Sequence, residues 1–319
     1  MKKKKSITRT LRDECYARLE SVQHNLTRKN YRNILRRYVD YCRSNFDVKT
    51  MDELCSYAQC YSYYLQDEGY SASSIHTYLA AICCCFKDKL SLSMLDKPIR
   101  HMSDFWRGHN RPRDRYRSKE DLTLDKFSHL VTFQAHVGVR RAELQKLKKE
   151  DLIKHKDGNW YVLIRCGKGG KRSLVYLDEK KDLPIVKPYF DNAKEGEYIF
   201  KKEEFANDLS LHYLRAQRSR ELYESTVEKL KNTPEYRKQL EAYVREYWRE
   251  NNLDKKTKQP KPFPEKSIHG KYILRGKTRA FAISNNLPYV YDRLALKFVS
   301  MCQLSHFRES ITILYLLYV

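Results

Sequence analysis

The stretch Val137-Gly138-Val139-Arg140-Arg141-Ala142-Glu143-Leu144-Gln145-Lys146-Leu147 separates into two faces when it is wound as a helix. Gly138 suits a tight lead-in, because glycine accepts backbone angles that other residues avoid. Arg140 and Glu143 share one face, one turn apart, while Leu144 and Leu147 point to a core. An acid one turn from an arginine can hold its guanidinium in place. An ordinary exposed pair on a helix surface has the same spacing.

Outward from this stretch, residues 122–134 and 141–152 read as helices. Residues 160–165 and 173–177 are β-branched or aromatic runs around Gly167-Lys168-Gly169-Gly170-Lys171, which is a β-hairpin pattern. Residues 209–230 predict a long helix, 233–251 a charged amphipathic helix and 254–266 a Lys/Pro-rich loop. Residues 289–301 and 309–318 read as closing helices.

The first third is helical throughout. Tyr31, Leu35, Val39 and Cys42 recur at helical spacing, as do Tyr57, Tyr61 and Tyr64, and then Ile75, Leu79, Ile82 and Phe86. Gly69 followed by four residues rich in serine marks a helix stop and a capped restart. The expectation is a basic tail over 1–12 and an all-helical domain of about four helices over 13–97. Lys2–Lys5 read as a solvated, frayed end. Between Lys97 and Arg117 seven basic residues accompany two acidic ones, and Pro98, Gly108 and Pro112 oppose a continuous helix. Residues 98–118 therefore read as a linker. In so basic a chain a strap lying on phosphates is favoured over a merely solvated connector, with Arg107, Arg111, Arg113, Arg115 and Arg117 as its contacts. A second domain follows over 119–319.

With 319 residues the chain has room for two domains, and 63 Lys and Arg against 40 Asp and Glu leave a net charge of +23. That excludes an acidic scaffold and makes a polyanion the first partner to consider. Hydrophobic residues at 41% and aromatics at 13% exclude a disordered basic tail. The nine cysteines are odd in number, three are consecutive and none forms a CxxC pair. Neither a disulfide framework nor a structural zinc site is expected, and a reducing cytosol is. The basic start is followed by no apolar run, so no signal peptide is expected, and the longest apolar runs are too short to span a bilayer.

Three further elements bear on chemistry. Of ten histidines only His212 has an arginine three residues later, Arg215, so both can face one anion from a helix. In so Arg-rich a chain one such pair also arises by accident. Lys168 sits in a Gly-rich turn, with Lys171 and Arg172 beside it. A phosphate-binding P-loop fails there, since the glycine spacing is wrong and no Ser or Thr leads from either lysine into a helix. A flexible basic turn is the bland alternative. Near the C-terminus, His306 precedes Tyr315 by nine residues. In a chain with 25 tyrosines, packing explains any single one of them.

Taken in order, Arg140, Lys168, His212 with Arg215, His306 and Tyr315 resemble the active site of the tyrosine recombinases, the phage-type integrases, in a two-domain form of the mobile-element type. VGVR-xx-EL looks like the first-Arg box and GKGGKR like the hairpin lysine. LSLHYLR looks like the His-x-x-Arg helix, and LSHFRESITILYL like the last His with the nucleophile. SASSIHTYLAAICCCF and the helices before it look like a SAM-like core-binding domain. The fold implied is mainly α with a small β-sheet or hairpin: that helical domain plus a mixed α/β catalytic domain from about Lys119. Three departures stand out. Ser305 replaces the usual Gly. The stretch from Arg215 to His306 is long, so 233–266 is expected as an insertion. The chain ends four residues after Tyr315, so a tail that docks on a neighbouring protomer is expected to be absent or cut short.

The resemblance implies a site-specific recombinase that cuts and rejoins DNA through a 3′-phosphotyrosyl link, without metal or ATP. Arg140 and Arg215 would neutralise the phosphate, with Glu143 in support. His212 would be the base for Tyr315, Lys168 the acid for the leaving 5′ oxygen, and His306 a phosphate hydrogen bond. Partners implied are a double-stranded recombination site, a synaptic tetramer of this chain on DNA, and an accessory directionality or DNA-bending factor. The place implied is the cytoplasm, on the nucleoid. Two alternatives stay open: a catalytically silent DNA-binding protein of the same fold, and a type IB topoisomerase-like nicking-closing enzyme. The presence of all six expected residue types opposes the first. A relaxase-type tyrosine enzyme is more distant, as it needs paired metal-binding histidines.

Overall fold

A computed structural model describes residues 6–100, 125–167, 170, 172–205, 209, 211–254 and 256–317. The chain divides into two compact units, Met1–Asp104 and Phe105–Val319. The fold is mainly α, with two small antiparallel sheets among the described residues.

The first unit contains α1 (Ile7–Ala17), α2 (Asn25–Asn45), α3 (Met51–Ser56), α4 (Ala58–Asp67) and α5 (Ala72–Cys85). Its core includes Leu35, Val39, Tyr61, Ile75, Leu79 and Phe86, which are the stripes that the spacing predicts. Two expectations need correction. Residues 7–12 are not tail: Ser6 accepts from Arg9 N and starts α1 there. Tyr57 is not inside one helix with Tyr61: it is the junction between the short helix α3 and α4, and its carbonyl accepts from Tyr61 N at 3.0 Å to start α4.

The second unit begins with α6 (Asp125–Val137) and α7 (Arg141–Leu144). β1 (Leu152–Lys154), β2 (Trp160–Ile164) and β3 (Ser173–Leu177) form one sheet in that order. β2 and β3 pair as the hairpin pattern predicts, with Val162 opposite Val175 and Tyr161 opposite Tyr176. Strand alternation buries both faces. Val162, Ile164, Val175 and Leu177 enter one core with Phe133 and Phe190. Tyr161 and Leu174 enter another with Val244, Trp248, Phe298 and Tyr315.

The remaining elements are α8 (Leu183–Asp191), α9 (Leu211–Asn232), α10 (Pro234–Asn251), β4 (Lys271–Ile273), α11 (Gly276–Ser284), β5 (Val290–Asp292), α12 (Arg293–Cys302) and α13 (Glu309–Leu316). Residues 141–152 are not one helix. Buried Asp151 accepts from Lys148 N at 2.9 Å and from Arg165 at 2.5 Å, and the chain turns there into β1. Residues 289–301 are likewise not one helix. β5 comes first, and Asp292 caps α12 through Leu294 N at 3.0 Å and Ala295 N at 3.2 Å. α10 lies in the stretch expected as an insertion, yet Leu240, Val244 and Tyr247 are part of the same core as Tyr315. All nine cysteines are free. Among the described residues no helix is long and apolar enough to cross a membrane.

Candidate active site

Three segments of the second unit converge. The first is the turn between α6 and α7, which presents Arg140. Gly138 makes that turn possible: its φ is +62°, and a Cβ there would stand 2.7 Å from the Gln303 amide nitrogen and 3.1 Å from Arg218. The second is the start of α9, where His212 and Arg215 lie one turn apart. The third runs from the end of α12 through His306 into α13, which carries Tyr315.

Arg215 is 1% exposed. Its Nη1 donates to Gly138 O at 3.0 Å and its Nη2 to Leu304 O at 2.9 Å, so one guanidinium ties the first segment to the third. Burial pushes its pKa down from the ordinary guanidinium value, while nearby Tyr315 and Glu143 act to hold it up. Arg140 is less enclosed. Its Nη1 donates to Glu143 Oε1 at 2.5 Å, its backbone N to Glu143 Oε2 at 2.9 Å, and its Nη2 to His306 Nε2 at 3.3 Å. Arginine cannot accept, so His306 Nε2 does, which leaves the proton of the neutral ring on Nδ1.

Tyr315 is 8% exposed and sits among these groups. Its ring centroid is 5.1 Å from that of His212 and 5.9 Å from that of His306. The guanidinium carbon of Arg215 is 5.7 Å from the Tyr315 ring. His212 itself is exposed, so it borders solvent while Tyr315 is covered. A phenol, two imidazoles and two guanidiniums held by one buried carboxylate can together receive an anionic phosphate, offer it a nucleophile and accept a proton.

The structure thus brings together Arg140, Glu143, His212, Arg215, His306 and Tyr315. Lys168, Lys171, Arg107, Arg111, Arg113, Arg115 and Arg117 lie outside the described residues. Arg172 is exposed just before β3. Sequence reading missed two buried residues behind the site, Gln134 and Gln303. Gln134 had a usable signal: it interrupts the apolar stripe of Leu130 and Val137 at helical spacing.

No family model matches the chain, and no curated protein does. Among solved structures it is similar to one described as the crystal structure of XerA recombinase, with 17% identity over 67% of this chain and 84% of that chain and a TM-score of 0.24.

Proposed function

We propose that this chain is a DNA strand transferase of the tyrosine recombinase type. The observation that carries the reading is the placement of Tyr315 between His212, His306 and Arg215, with Glu143 linking Arg215 to Arg140.

A DNA phosphodiester repels an anionic nucleophile. Arg140 and Arg215 neutralise its non-bridging oxygens, most strongly in the transition state, where charge accumulates. The Tyr315 oxygen attacks phosphorus as its proton passes to His212. The bond to the 5′ oxygen breaks, and Lys168 supplies the proton to that leaving group. The product is a 3′-phosphotyrosyl ester and a free 5′ hydroxyl. Because the ester keeps the bond energy, attack by a second 5′ hydroxyl rejoins the strand with no ATP. The charge neutralisation is assigned to arginines, so no metal enters the scheme.

The net charge of +23 fits a duplex DNA partner. Residues 7–97 are proposed as the core-binding DNA domain, 98–118 as a phosphate-contacting linker and 119–319 as the catalytic domain. Recombination needs two duplexes, so a tetramer on DNA is part of the proposal, as are a mobile-element recombination site as substrate and the nucleoid as the place of action.

The test is covalent capture. Duplexes of randomised sequence, each nicked close to the cut site so that the short fragment diffuses away, are incubated with the protein in EDTA. The wild type is expected to form an SDS-resistant DNA adduct, and Tyr315→Phe none. Two-site plasmids then separate recombination from mere relaxation. An adduct that survives Tyr315→Phe, or none from the wild type at any salt concentration, overturns the reading.

A further inference from the structure

Two uncharged amides lie inside the second unit, and Gln134 and Gln303 are both 0% exposed. A buried amide costs stability unless it is hydrogen-bonded, and an apolar side chain of the same size fills the same space at less cost. What these amides bond to is therefore informative. Gln134 Nε2 donates to Val139 O at 2.6 Å and to Leu211 O at 3.0 Å, and its Oε1 accepts from Val139 N at 3.2 Å. Val139 immediately precedes Arg140, and Leu211 immediately precedes His212. Gln303 Nε2 donates to Val137 O at 2.8 Å and Gly138 O at 3.2 Å. Gln303 lies three residues before His306. Gly138 O also receives Arg215. Every one of these bonds ends on backbone within three residues of a site residue, and each glutamine joins two of the three converging segments.

We propose that Gln134 and Gln303 are positioning residues, which fix Arg140, Arg215 and His306 in the relative places needed to bind the scissile phosphate. The proposal rests on the phosphotyrosyl reading above. The Gln134 amide sets the spacing between the backbone of Arg140 and that of His212. The Gln303 amide sets the spacing between the Arg140 turn and the His306 segment. Neither touches the reacting atoms. Displacement of catalytic groups by about 1 Å is enough to cost on the order of 100-fold in rate.

A merely structural role would also lower activity, so the test compares two substrates. One carries the ordinary phosphodiester at the cut site. The other carries a methylphosphonate there, which lacks the negative charge that the arginines neutralise. Gln134→Leu and Gln303→Leu are expected to slow adduct formation at saturating DNA by ~10–100-fold on the phosphodiester, with DNA affinity within about 2-fold of wild type. On the methylphosphonate their deficit relative to wild type shrinks to under about 3-fold, because guanidinium placement no longer decides the rate. An equal deficit on both substrates, or no deficit on either, overturns the proposal.

Gln134→Glu and Gln303→Glu keep the shape and serve if the leucine variants do not fold. A carboxylic acid donates one hydrogen bond and a carboxylate none. Their phosphodiester rates, relative to wild type, therefore rise as pH falls, and a flat ratio counts against positioning. Normal wild-type adduct with unimpaired variants sinks this inference alone. No wild-type adduct sinks the phosphotyrosyl reading and this inference with it.

Discussion

Glu143 Oε2 lies 3.7 Å from Arg215 Nη1, while the other oxygen of the same carboxylate accepts from Arg140. One 6%-exposed acid thus faces both guanidiniums of the site. Two arginines this close repel each other, and in a low-dielectric pocket that repulsion is large. The carboxylate offsets it and holds both side chains in place. Glu143→Gln keeps an acceptor and loses the charge. Adduct formation is expected to slow by ~10–100-fold, and stability in urea to fall by about 1–3 kcal/mol. An unchanged rate would reduce Glu143 to a helix cap.

Arg215→Lys keeps a positive charge and loses geometry. A lysine ammonium is a compact point and does not reproduce the two-pronged contact to Gly138 O and Leu304 O. Cleavage is expected to fall by ~100–1000-fold, with DNA affinity at fixed salt within about 3-fold of wild type. Gel-shift titrations beside single-turnover adduct assays separate the two. Parallel loss of binding would assign Arg215 to the fold or the DNA groove.

The parts of the fold that could be read from sequence are those where local pattern and tertiary environment agree. β2 and β3 are β-branched and aromatic runs around a glycine-rich turn, and they pair. α2 and α5 carry apolar stripes and bury them. α8 shows no helical signature in sequence, since Pro184 and Pro188 both fall within it. In fact the first proline sits in the first turn, where no backbone donor is lost. β1, β4 and β5 have three residues each, too few for any periodicity to show. In the site, residues with chemical identity stood out by type and order. Gln303 did not, because its partner Val137 lies 166 positions away, where no local pattern reports it, and the polar break that Gln134 makes in its apolar stripe does not reveal its bond to Leu211, 77 positions away.

Asp292 makes the stability of the second unit depend on acid. It is 7% exposed, caps α12 and pairs with Arg237 at 3.0 Å and Lys271 at 3.2 Å. Burial alone would raise its pKa. The Ala295 backbone bond and the two cations outweigh burial and hold the carboxyl below its ordinary value. A folded pKa below the unfolded one stabilises above the unfolded pKa and fades as pH falls through the folded one. Asp292→Asn is therefore expected to cost about 1–3 kcal/mol at neutral pH, with the gap narrowing below about pH 4. Urea melts of both proteins at neutral and acid pH measure this. A gap independent of pH would mean that the asparagine loses shape and not charge.

The backbone around His306 is strained, and the strain serves placement. Ser305 has φ +54° and Phe307 φ +56°, both in the left-handed region. An L-residue there costs about 1 kcal/mol or more. Between them, His306 N donates to Ser300 O at 2.9 Å, and the Phe307 ring packs on Trp248 with centroids 5.5 Å apart. That double reversal aims the imidazole at Arg140 and starts α13 in the direction that covers Tyr315. Ser305→Gly removes the local strain but loosens the unfolded chain. Stability is expected within about 0.5 kcal/mol of wild type and adduct formation within about 2-fold. Ser305→Val forces a β-branched residue into the same angles. It is expected to lose ~1–2 kcal/mol and to slow adduct formation by ~10-fold or more, as His306 leaves its 3.3 Å contact with Arg140. Thermal melts and single-turnover assays on both variants decide the matter. If valine behaved as glycine does, residue 305 would not be left-handed in solution, and the placement of His306 would need another cause.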